Sequence, residues 1–121
     1  MQKISLICIL LLLGCVNLQF DPVEYSQFID IKYLTDNRNN ICQDEITINV
    51  AKLTLKEIID KQIIYAKYRS ERKLVYSSIE KLQNLITEFN SRQNMSKQYC
   101  ISKLENISVA SLLIIQSLGE M

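Results

Sequence analysis

The chain has 121 residues, 14 basic and 13 acidic side chains, and a formal net charge of +1. It holds no histidine, which excludes Ser-His-Asp and Cys-His catalysis and every zinc site that needs imidazole. Balanced charge offers no basic face to neutralise phosphates, and with only Gly14 and Gly119 there is no phosphate-cradling loop. No nucleic acid, metal or cofactor is therefore expected, and the chain reads as a non-enzyme.

The first residues read as an export signal. Lys3 supplies a positive start, and Ile4 to Leu13 is apolar except for Ser5. That run is too short to cross a bilayer, which takes about 20 apolar residues. An ordinary signal needs small residues at the first and third positions before the cut, and cleavage after Gly14 puts Leu12 at the third. Leu12-Leu13-Gly14-Cys15 instead fits the order leucine, variable, small, cysteine, in which the cysteine thiol takes a diacylglycerol and its freed amine is acylated. In these residues the chain resembles a bacterial lipoprotein, with Cys15 as the lipidation site. The body is rich in Ile, Asn, Lys and Leu and poor in Gly and Pro. In size and composition it resembles the small plasmid-encoded lipoproteins of Borrelia-type spirochaetes, the Orf-D group among them. Such proteins mostly have no assigned activity, so the resemblance implies a location and no mechanism.

Three segments follow: a signal peptide over 1–14, a short tether over 15–20, and a helical domain over 21–121. Lys3 is the only charge in the signal, so its removal takes the formal net from +1 to zero. Four cysteines are present. Cys8 leaves with the signal and Cys15 takes lipid, so Cys42 and Cys100 remain as an even pair in an exported chain. A disulfide between them is expected, with two free thiols as the alternative. A loop of that length would stabilise by about 4 kcal/mol in the chain-entropy model.

The domain opens on a helix start. Asp21 can cap, Pro22 has the fixed φ of a first helical position, and Glu24 completes a capping-box pattern. The helix is expected to run to about Thr35, with Val23, Phe28, Ile31 and Leu34 as its stripe and Ile29 beside it. Asp36 to Asn40 is a polar breaker cluster, hence a loop. Over 44–53, Ile46, Ile48 and Val50 alternate as in a strand, but no second strand follows to pair with it. A helix from near Asp44 is the better reading. From Thr54 the helical signal is strong. Leu55, Ile58, Ile59, Ile63 and Ala66 form one face, and Val75, Ile79, Leu82, Ile86 and Phe89 recur at heptad spacing. No glycine or proline separates these stripes, which favours one helix from about Thr54 to Asn90 over a turn near Ser70. A loop at Ser91 to Asn94 precedes the last helix, starting near Ser96 or Ser102. Ile101, Leu104, Ile107, Ile114 and Leu118 form its face. Val109, Ala110, Leu112, Leu113 and Ile115 make it apolar nearly all round, as in a buried central helix. Gly119 is a natural C-cap. The expected fold is all-α: a small bundle of three to four helices, one of them long.

Two features suit contact with a partner. Tyr65, Tyr68, Arg69, Arg72 and Tyr76 cluster at helical spacing, and Tyr and Arg are common interface anchors. The apolar last helix could also meet a partner or a second copy. The expected function is a lipid-anchored helical module of the cell envelope or outer surface that binds an unknown protein. The alternatives are a secreted helical factor stapled by Cys42 and Cys100, and a phage-type lysis or envelope accessory lipoprotein.

Overall fold

The computed structural model describes residues 21–68 and 73–119. Its described residues form five helices and no strand: α1 (Pro22–Asp36), α2 (Arg38–Ile41), α3 (Glu45–Lys67), α4 (Lys73–Ser91) and α5 (Lys97–Gly119). The all-α expectation holds.

Side-chain capping starts α1, α3 and α5. Asp21 accepts from the backbone N–H groups of Val23 (3.0 Å) and Glu24 (3.3 Å), and Pro22 takes the first helical position. Asp44 accepts from Thr47 N–H at 2.8 Å and opens α3, which settles the 44–53 stretch as helix. Ser96 accepts from Tyr99 N–H at 3.0 Å and opens α5, in preference to Ser102. Thr54 lies inside α3, its hydroxyl donating to the Val50 carbonyl.

The long helices make an up-down-up-down ring. Tyr65 near the end of α3 reaches Asp21 at the start of α1. Lys52 near the start of α3 donates to the Arg92 carbonyl just past α4, at 2.7 Å, and Asn90 Nδ2 donates to the Lys52 carbonyl at 3.1 Å. Lys103 on α5 pairs with Glu88 on α4 at 2.7 Å. Ser108 on α5 donates to Asp36 on α1 at 2.6 Å. The most extensive contact is between α1 and α5, which closes the ring. One pole, the base, holds the start of α1 and the end of α5. The other, the head, holds α2, the loop from Arg92 to Ser96, and the Cys42–Cys100 disulfide, whose Cα atoms are 5.8 Å apart.

This arrangement corrects the expectation of one helix across Thr54 to Asn90. α3 ends at Lys67 with Tyr68 as its C-cap, and α4 lies antiparallel beside it. A single rod of about 55 Å would leave both apolar faces in water. The turn itself falls at 69–72, outside the described residues. The expected loop from Asp36 to Asn40 is also shorter. Asn37 alone breaks the helix; its carbonyl accepts from the Asn40 and Ile41 N–H groups, and α2 begins at once. At the far end α5 ends with Gly119, the last described residue.

The core is built from Phe28, Ile31, Leu55, Ile59, Ile79, Leu82, Ile86, Phe89, Leu104 and Ile107, all nearly or fully buried. The α4 stripe is buried in full. On α1 Phe28 and Ile31 are buried as expected, but at the ends of the stripe Glu24 and Thr35 point in, while Val23 and the flanking Ile29 are exposed. Thr35 is accommodated because its hydroxyl donates to the Ile31 carbonyl of its own helix at 2.8 Å. Ser111 does the same with Ile107 at 2.9 Å. Both are small, and they let α1 and α5 approach closely. The last helix is not buried all round, for Val109, Leu112 and Leu113 face outward. Lys97–Leu118 has the length and composition to cross a membrane, but its buried Ser108 and Ser111 and its disulfide tie it into the bundle.

Gln62 occupies a core position on α3 at 1% exposure, and neither amide atom has a hydrogen-bond partner among the described residues. A buried unsatisfied amide costs about 1–3 kcal/mol. Replacing Gln62 with Leu, of similar volume, should raise unfolding free energy by about that much in chemical denaturation. A loss of stability would show that the amide is satisfied.

Candidate functional site

The head carries a cleft of about 870 Å³. Three segments meet there: the Cys42–Asp44 turn, the first two turns of α3, and the loop after α4. The disulfide fixes the first of these to α5. Lys52 fixes the third, donating to Arg92 where the α4 carbonyls would otherwise lack partners and where a cation suits the helix dipole. Asn94 turns the loop with φ 51°, a left-handed value that Asn tolerates better than most residues.

The cleft walls are polar and of both signs. Asp44, Glu45, Lys52 and Lys97 line it together with the amides of Asn49, Asn90, Gln93 and Asn94. The backbone N–H of Thr47, then its hydroxyl, holds the Asp44 carboxyl below its ordinary pKa. Thr47 is itself fixed by donation to the Ile41 carbonyl at 2.6 Å. Asn90 Oδ1 is buried with no hydrogen-bond partner among the described residues. The cleft therefore offers donors and acceptors in a rigid frame. Its cysteine is bonded and supplies no thiolate. At the start of α5, the Tyr99 ring lies 4.7 Å from the Arg92 guanidinium and 5.4 Å from the Lys103 ammonium.

The residues singled out in the sequence fall elsewhere. Cys15 lies outside the described residues, as do Arg69 and Arg72. Tyr65 is half-buried and bonded to Asp21, Tyr76 is half-buried against the core, and Tyr68 is 87% exposed. Tyr65, Tyr68 and Tyr76 sit toward the base. The scattered carboxylates of α3 pair within their helix, Glu57 with Lys61 at 3.2 Å and Asp60 with Lys56 at 2.6 Å. Sequence reasoning missed the head cleft because its residues come from three separate segments. The only local signal was the density of Asn and Gln in the two loops.

No protein-family model, curated protein or solved structure matches the chain.

Asp36 links this end of the bundle. Lys32 first, then Ser108, holds its carboxyl below the ordinary 3.8. A lowered pKa stabilises the fold fully above the unfolded value, and the gain is lost as pH falls through the folded one. Asp36 is half exposed, so its contribution is about 1 kcal/mol or less. Asp36→Asn should lower stability at pH 7 by that order, and the gap to wild type should narrow as pH falls below 3.8. Denaturation curves at the two pH values check this.

Proposed function

We propose that the chain is a lipid-anchored helical binding module of the cell envelope, held at its base and presenting its head to a partner. The observation that carries this reading is the order of parts. Leu12-Leu13-Gly14-Cys15 ends the apolar run, and the domain begins six residues after Cys15, at Asp21. Asp21 stands at the pole opposite the cleft. An anchor at Cys15 would therefore hold the base near the bilayer, with no long linker between. Diacyl anchoring is stable because each buried CH₂ adds about 0.8 kcal/mol and more than one chain is attached.

The bonded Cys42–Cys100 pair fits an oxidising compartment outside the cytosol. The head cleft fits a ligand with both charges and amide-like hydrogen-bonding groups, such as an exposed loop of a protein. The bonded pair supports equally a secreted form without lipid, and the modification of Cys15 separates the two. Metabolic labelling with palmitate should label the wild type, and Cys15→Ala should abolish the label. No label on wild type, or label surviving the substitution, would reject the anchor and leave the secreted factor.

A further inference from the structure

The outward face of α3 carries apolar residues that the bundle does not use. Ile46, Val50 and Leu53 follow at spacings of four and three and are 76%, 58% and 71% exposed. Tyr33 on α1, 81% exposed, stands beside them. Between α1 and α3 lies a hollow of about 370 Å³ whose lining includes Tyr33, Leu34, Ile41, Val50, Thr47 and Thr54. None of its lining side chains is charged. Ridge and hollow thus share one face.

Their registers match. At about 100° per residue, Ile46 and Leu53 fall on one side of Val50, while Thr47 and Thr54 fall on the other, toward the hollow. The levels follow from the contact of Asp21 with Tyr65. Tyr33 and Leu53 each lie twelve residues from that contact along antiparallel helices, so they stand at the same height.

We propose that this face pairs with the same face of a second copy, about a two-fold axis parallel to the bundle. Such an axis keeps heights and exchanges sides. It brings Leu53 of each copy to the part of the other's hollow beside Tyr33 and Thr54. It brings Ile46 to the part beside Ile41 and Thr47, while Val50 meets its own copy near the axis. Each copy gives two knobs and receives two, as a self-complementary interface requires. A small apolar molecule would fill the hollow but leave Ile46 and Leu53 in water.

Charge agrees with this. The next outward positions toward the base, Glu57 and Asp60, end the apolar seam. Their pairing with Lys61 and Lys56 keeps the flank near neutral. The near-balanced chain raises no long-range repulsion between copies. The parallel axis also leaves both Asp21 residues on one side, so two copies on one surface can meet. The pairing itself needs no lipid, and sedimentation reads assembly alone.

Sedimentation of the full chain in density-matched detergent, from about 1 to about 100 μM, should show a dimer. Leu53→Glu and Ile46→Glu should each weaken it about tenfold or more, with helical circular dichroism and melting unchanged. Val109→Glu, on α5, should leave it intact. A bis-maleimide should cross-link Ile46→Cys to its own copy above the level of the parent chain. A wild type that stays monomeric, or a dimer that survives Leu53→Glu, would overturn the proposal. So would an antiparallel pattern, in which Ile46→Cys links only to Leu53→Cys.

Discussion

The structure depends on the first helix lying along the last. α3, α4 and α5 follow one another as hairpins, but three helices in a row leave an apolar face open. α1 covers it. Alone, a helix of this length is marginal in water, and its fold comes from packing. Phe28 and Ile31 supply that packing, both fully buried. The small Thr35 and Ser111 let the backbones approach, and Ser108 ties Asp36 across the seam. The Cys42–Cys100 bond then joins the segment after α1 to the first turns of α5, so the closing contact is both packed and covalent.

Closing the ring separates the molecule into two poles with different chemistry. The base takes the chain in at Asp21 and holds Leu118 of the last helix. The head holds the disulfide and loops rich in Asn and Gln, braced by Lys52 from α3. A bond at the head does not reach the base, so rigidity is concentrated where the cleft is. The outward side of α3 at the same end is apolar and meets no other described helix. A polar cleft and an apolar seam near one pole can serve a partner and a second copy without competing for the same residues.

The helices were legible where side-chain chemistry is local. Asp21, Asp44 and Ser96 cap as their sequence contexts indicate. The α4 seam was legible in full because every core position there is apolar. On α1, Phe28 and Ile31 were legible, but the ends of the stripe were misread because Glu24 and Thr35 hold core sites that an apolar stripe does not reveal. The strand-like alternation of Ile46, Ile48 and Val50 has a simple cause: Ile46 and Val50 form an outward seam while Ile48 is half-buried against the core. The turn between α3 and α4 was illegible because no glycine or proline marks it, and only the burial of two apolar faces demands it. The outward Val109, Leu112 and Leu113 show the opposite limit: apolar composition does not say which side has a neighbour. Of the candidate sites, the Cys42–Cys100 pairing could be expected from the parity of cysteines left once Cys8 and Cys15 are set aside. The head cleft could not, since it exists only once three segments meet.

The central claim is a bundle closed by one disulfide at the head and moored through Cys15 at the base. Intact mass spectrometry of the mature chain, without reduction, reads both ends at once. The account predicts a chain beginning at Cys15, heavier by its acyl groups and lighter by two hydrogens, with no thiol open to alkylation. A chain whose Cys15 is unmodified, or whose Cys42 and Cys100 both take up the alkylating reagent, would contradict it.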